Sequence, residues 1–261
     1  MRININYKMP YNKIIISLFI ILNLIELKAQ VADDLFQSGN EKYGRAEYNE
    51  AIIDYKQIVD NGYKSFELFY NLGNAYFRTN DIANAILYYE KAKKINPDDE
   101  DIKTNLKIVK LRTVDKIEEI DDFFLSDISK DISYSLGLEV WTFLSLLFIW
   151  ITFGIGILFK ITKSSTLKKN LFLYSIILIL STFLTFYFSN QLSNELYDDS
   201  FAIVMESSVY IKSSPDAGST DLFILHEGAK LKIINNRNAW SNIRLANGKT
   251  GWLPGGSIKK I

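Results

Sequence analysis

The chain has 261 residues, 30 Lys and Arg against 30 Asp and Glu, one histidine and no cysteine. A formal charge of zero excludes a nucleic-acid binder that works through a general basic field. Without cysteine there is no disulfide, thiolate nucleophile or cysteine metal site, and the single His226 cannot build a histidine cluster. No metal site and no cofactor are therefore expected. The length admits one or two ordinary domains, but the apolar residues gather in three blocks, so the soluble parts are small.

The first block opens the chain. Arg2, Lys8 and Lys13 precede an apolar run from Ile14 to Ile25, and the small Ala29 comes after it. That order describes a secretory signal. Twelve helical residues reach only ~18 Å, short of the ~30 Å hydrocarbon layer. Cleavage is expected between Ala29 and Gln30, giving a signal peptide over 1–29. An uncleaved anchor is the alternative, and either one exports the chain from residue 30 onward.

Residues 30–115 carry an internal repeat. Gly39, Asn40, Ala51 and Tyr55 recur 34 residues later as Gly73, Asn74, Ala85 and Tyr89. This period resembles the tetratricopeptide repeat (TPR), a pair of packed helices. In the second copy Phe69, Leu72, Gly73, Tyr76, Ala85, Tyr89, Ala92 and Pro97 occupy the eight signature positions. The small residues let helices approach, the large ones fill the space between them, and Pro97 ends the unit. In the first copy Ser38 replaces a large apolar residue, Ile58 an alanine and Tyr63 the proline. Four acids, Asp98 to Asp101, then open a helix through the macrodipole. Ile102, Leu106 and Val109 share one face of it, which predicts a capping helix with a polar outer side. The acids lack the spacing and glycine of a calcium loop.

The TPR resemblance implies an all-α superhelix with a protein-binding groove lined by the first helix of each pair. Phe36, Gln37, Asn40 and Tyr43 face that groove from copy one. Tyr70, Asn71, Asn74, Phe77 and Arg78 face it from copy two. Asparagine can hold a peptide backbone by donating and accepting at once. Some relatives clamp a C-terminal carboxylate with two asparagines and three basic residues. Asn40 and Asn71 match the asparagines, but Phe36, Asp101 and Asn105 stand at the basic positions, so that clamp is not expected.

An acidic juxtamembrane linker is expected over 116–137, its helicity left open. Two further apolar blocks come next, Val140 to Phe159 and Leu171 to Phe188. At 1.5 Å per residue they reach about 30 and 27 Å, enough to span hydrocarbon. Spans are set at 138–159 and 171–188, with Trp141 and Tyr187 in the interfacial aromatic belt. The connection at 160–170 holds Lys160, Lys163, Lys168 and Lys169, whereas Glu118, Glu119, Asp121 and Asp122 lie before the spans and Glu195, Asp198 and Asp199 after them. Basic residues near a span stay cytoplasmic. The bend therefore faces the cytoplasm and both soluble segments face outward, as the signal independently requires. The expected location is a bacterial inner membrane with both domains in the periplasm.

After a linker at 189–200, residues 201–261 read as short strands with turn signals about every ten residues. Asn247-Gly248 is a hairpin signal. The runs "VYIKSSP", "LHEG", "WSNIRL" and "NGKTGWLP" resemble the bacterial SH3-like (SH3b) barrel. "NGKT" lacks the upstream glycine of a P-loop. The resemblance implies peptide or cell-wall binding, with Tyr210, Trp240 and Trp252 as candidate surface. The two tryptophans are expected in the small barrel's core instead, because aromatics dominate such cores. His226 is read as a surface or half-buried residue.

The expected architecture is thus a multidomain membrane protein: TPR superhelix, two-helix transmembrane hairpin, all-β SH3-like barrel. This order resembles the BatE proteins of the Bacteroides-aerotolerance (Bat) operon family. The resemblance implies a periplasmic assembly with other envelope proteins, including von Willebrand A domain Bat proteins, linked to a cytoplasmic MoxR-type ATPase. It implies a non-enzymatic scaffold with a role in aerotolerance or stress survival. The alternatives are a cell-wall enzyme targeted by the barrel and a cell-wall-sensing regulator.

Overall fold

The computed structural model describes residues 29–117 and 124–261. The expected signal region before Ala29 lies outside the described residues. Two compact units divide the chain between Thr113 and Val114.

In the first unit helix α1 covers 29–44. It is succeeded by α2 (Tyr48–Asp60), α3 (Phe66–Arg78), α4 (Ile82–Ile95) and α5 (Glu100–Lys110). The boundaries obey local chemistry. Ser65, Asp81 and Asp99 each accept a backbone N–H from the third residue onward, at Leu68, Asn84 and Ile102, which caps the helix start. The turns repeat as well: Ala46 and Asn80 both take positive φ, 61° and 63°.

One contact joins each helix pair. A Cβ on Gly39 would lie 2.6 Å from Tyr55 Cε1, and one on Gly73 would lie 2.5 Å from Tyr89 Cδ1. No side chain fits at either place, so glycine is what admits the ring. Tyr55 and Tyr89 are among the largest fully buried side chains. The same register continues into α5, where buried Ile102, Leu106 and Val109 succeed Leu68, Leu72 and Ala75 by one period. Lys107, however, stands at the glycine position, and its side chain bars another tyrosine.

The capping helix differs from expectation on its outer side. Ile108 is 45% and Leu111 75% exposed. Those positions succeed Asn74 and Phe77 by one period, so Leu111 keeps the apolar character of the repeat and Ile108 departs from it. The departures in the first copy are coupled. Ser38, Lys42 and Asp54 occupy the places of Leu72, Tyr76 and Tyr88. Tyr76 and Tyr88 stack with centroids 5.6 Å apart. In the first copy the buried Asp54 carboxylate accepts from Ser38 Oγ at 2.7 Å and Lys42 Nζ at 2.6 Å. One polar triad replaces one apolar cluster.

In the second unit α6 (Phe124–Ile161) has 38 residues and α7 (Ser165–Leu196) has 32. Both are long and apolar enough to cross a membrane. The linker expected over 116–137 is helical from Phe124 onward, and Gly137, at φ 73° and ψ 161°, breaks α6. That φ favours glycine. Trp141 does not sit in an outward belt. It is 8% exposed, packs 4.9 Å from the Phe188 ring, and donates its indole N–H to the Ser133 carbonyl at 2.9 Å. Ser133 is among the last four residues before the break, where carbonyls lose their regular helical partners. Around Trp141 runs a polar seam: Ser129 Oγ donates to Gln191 Oε1 (2.7 Å), Thr142 and Ser189 hydroxyls pair (2.9 Å), and Ser145 Oγ donates to Thr185 Oγ1 (3.0 Å). The basic connection is shorter than expected. Only residues 162–164 lie outside the helices, because the Ser164 hydroxyl caps α7 by accepting the Leu167 N–H. Lys160 lies in the last turn of α6, Lys163 stays in the bend, and Lys168 and Lys169 join α7.

Seven antiparallel strands complete the unit: β1 (Phe201–Val204), β2 (Ser208–Lys212), β3 (Asp221–His226), β4 (Lys230–Arg237), β5 (Trp240–Arg244), β6 (Thr250–Pro254) and β7 (Ile258–Lys260). Their order is β3-β2-β6-β5-β4-β1-β7. This is an SH3b-like β domain. Its core is aliphatic, built on Val209, Ile211, Leu225, Leu231, Ile243, Leu245 and Leu253.

The glycine–tyrosine contact predicts that Gly73→Ala destabilises the TPR unit by about 1–3 kcal/mol through overpacking. Gly44→Ala, where an added Cβ meets nothing within 4 Å, does not destabilise it. Thermal unfolding of the two variants monitored by circular dichroism checks this.

Candidate protein-binding sites

Helices α1, α3 and α5 bring the asparagines expected in the groove into one hydrogen-bonded ladder. Asn40 Oδ1 accepts from Tyr55 OH at 2.7 Å and from Asn71 Nδ2 at 2.9 Å. One period on, Asn74 Oδ1 accepts from Tyr89 OH at 2.7 Å and from Asn105 Nδ2 at 3.4 Å. Asn105 Nδ2 also reaches Tyr70 OH at 3.3 Å. Both ladder carbonyls are thus occupied from within, and the Nδ2 groups of Asn40 and Asn74 donate in none of these bonds. Such a row suits a ligand that presents acceptors, as an extended peptide backbone does.

The tyrosines in the ladder remain donors. Burial, then the nearby Tyr43, pushes the Tyr55 hydroxyl up to about 12. Burial raises Tyr89 further. Both hydroxyls therefore keep their protons at neutral pH.

Aromatic rings flank the ladder with the same period. Phe36 lies 5.9 Å from Tyr55, and Tyr70 lies 6.3 Å from Tyr89. Tyr43 meets Tyr48 edge-on at 5.1 Å. The exposed Arg78 lies 5.7 Å over the Tyr48 ring, and its pKa is raised first by a hydrogen bond with Tyr43. Arg112 repeats Arg78 one period later and lies 4.3 Å over Phe77. Gln37 points along its own helix, donating to Asp33 at 3.1 Å. Sequence reasoning did not place Tyr55, Tyr89 or Arg112 at the groove, and it read Asn105 only as a mismatch to the carboxylate clamp. The 34-residue offset from Asn71 to Asn105 and from Arg78 to Arg112 was the available signal.

On the barrel, strand alternation decides where the aromatics go. Ser241, Ile243, Gly251 and Leu253 point inward. Trp240 and Trp252 consequently lie on the other face, half-buried, and outside the core expected to hold them. Lys212, Trp252 and Asn242 are successive cross-strand partners, so they form one outward row over β2, β6 and β5. Tyr210, 52% exposed, is two residues from Lys212, and Trp240 is two from Asn242. The three candidate aromatics therefore share one face of three adjacent strands. His226 ends β3 half-buried, beside Asp115. Among the described residues no group of three or more His, Asp or Glu could hold a metal.

Compared with known families, residues 66–99 match the tetratricopeptide repeat and residues 207–259 match the bacterial SH3 domain. No curated protein matches the chain. The first match covers α3, α4 and the Asp99 cap, and α1 with α2 repeats its contacts one period earlier. Domains of these two kinds typically bind proteins or cell-wall material and are not catalysts.

Removing Asn74 leaves the buried Tyr89 hydroxyl without its acceptor, and an unsatisfied buried donor costs about 1–3 kcal/mol. Asn74→Ala is expected to lose that much stability, and adding Tyr89→Phe recovers part of it. Chemical denaturation of the single and double variants provides the test.

Proposed function

We propose that the chain is a non-catalytic scaffold anchored in the bacterial inner membrane. Its TPR groove and its SH3b barrel both face the periplasm. The observation that carries this reading is the pair of binding-type domains flanking two apolar helices joined by a short lysine-bearing bend. Positive charge beside short connections stays cytoplasmic, which puts both flanking domains on the opposite side. A signal over 1–29, cleaved after Ala29, agrees with that orientation. The TPR groove holds a segment of another envelope protein through its asparagine ladder and flanking aromatics, while the face bearing Tyr210, Trp240 and Trp252 takes a peptide or peptidoglycan. Anchoring both domains to one membrane face raises the effective concentration of each ligand for the other.

The order of modules further supports a BatE-like role, with von Willebrand A domain proteins of a Bat assembly as the groove's partners and aerotolerance or stress survival as the outcome. The scaffold reading needs no bound cofactor.

Two measurements test the proposal. The chain lacks cysteine, so single reporters are clean. A membrane-impermeant maleimide on spheroplasts is expected to modify Glu67→Cys and Ser207→Cys, but Thr162→Cys only after lysis; the reverse pattern rejects the topology. Crosslinking and mass spectrometry from membranes should recover von Willebrand A domain proteins, and Tyr70→Ala with Phe77→Ala should cut that recovery at least ten-fold. A pull-down no richer than an empty-membrane control would end the scaffold reading.

A further inference from the structure

The barrel holds a stretch of its own chain from far upstream. Asp115 precedes His226 by 111 residues, yet its Oδ2 accepts the His226 backbone N–H at 2.6 Å. Its Oδ1 lies 3.0 Å from His226 Nδ1, which donates the proton of that pair. Two residues on, Ile117 packs against the barrel core. Asp115 to Ile117 belong to no helix or strand.

Among the described residues, the bonded amide lies on a sheet edge. His226 ends β3, which sits at one end of the strand order with β2 as its only neighbour among them. An antiparallel ladder alternates pairs that exchange hydrogen bonds with pairs that do not. Because the His226 N–H turns to Asp115 and not to Ser208 opposite, Ser208–His226 is a pair of the second kind. Tyr210–Ile224, two steps along the same register, is another. The N–H and C=O of Ile224 therefore also face away from β2. The Ile224 side chain is 41% exposed. The strand reads Asp-Leu-Phe-Ile-Leu-His, with no proline or lysine of the kind that blunts a free edge.

We propose that this edge is a docking site for an extended protein segment in which an acidic residue precedes an aliphatic one by two positions, and that Asp115–Ile117 occupies one end of it in cis. The carboxylate takes the His226 amide and imidazole, and the aliphatic side chain seats at the margin of the core. The Ile224 groups remain for main-chain pairing, as in strand addition. A partner with the same pattern competes with the chain's own segment, so binding in trans requires its release. The site belongs to the barrel and stands whether or not the TPR groove binds a ligand.

The test uses the full chain in detergent micelles and a fluorescent synthetic peptide of residues 112–118. Asp115→Ala in the protein frees the site and is expected to bind this peptide at least ten-fold tighter than the unaltered chain. The same peptide carrying Asp115→Ala should bind at least ten-fold more weakly to the freed site. Equal affinity of the two proteins, or of the two peptides, overturns the proposal. If the Asp115→Ala protein fails to fold, photo-crosslinking on the unaltered chain decides. Excess peptide bearing a photo-reactive group at its residue 116 should label β3 near His226, and labelling no greater than that by the Asp115→Ala peptide overturns the proposal equally.

Discussion

A hydrocarbon layer about 30 Å thick cannot contain either long helix whole. At 1.5 Å per residue, the part of α6 from residue 138 to Ile161 and the 32 residues of α7 reach about 36 and 48 Å. At one end of the pair Gly137 breaks α6, Trp141 packs on Phe188, and the hydroxyls of Ser129, Thr142 and Ser145 meet Gln191, Ser189 and Thr185. Hydrogen bonds between helices and small side chains are what hold apolar helices together when lipid competes equally for their hydrophobic surface. The hairpin is thus joined by polar contacts at one end, and its lysines stand at the other.

In the TPR unit a single solution is used repeatedly. A glycine admits a tyrosine ring, the ring's hydroxyl bonds an asparagine one helix away, and that asparagine receives the amide of the next. The contact that packs the helix pair is therefore also the contact that orients the groove. Packing and the asparagine ladder are not separable here, because Tyr55 and Tyr89 serve both. The first copy shows that the remaining positions are freer. An ion pair with a serine and a stacked tyrosine pair fill equivalent space, provided all three residues change together.

Much of this was legible beforehand because it is periodic. The 34-residue repeat, the two apolar runs and the alternating strands each rest on a spacing, and all three appear in the structure. What escaped was non-periodic or paired across distance. Ser38 reads as an isolated flaw until Lys42 and Asp54 are seen beside it. Trp141 reads as an interfacial aromatic because the sequence carries no sign of the carbonyl it meets. The helix within the acidic stretch is masked by its charge, and only Gly137 hints at where it stops. Trp240 and Trp252 were misplaced by weighing residue type above strand alternation. Asp115 and His226, more than a hundred residues apart, leave no local trace.

Lys107 has a wider consequence. It occupies the one place where a further tyrosine would have to enter, so a tandem duplication inserted after this helix could not stack on it. Lengthening the array would require either reverting that lysine to glycine or inserting new units upstream. A single long side chain thereby closes the asparagine ladder at its downstream end.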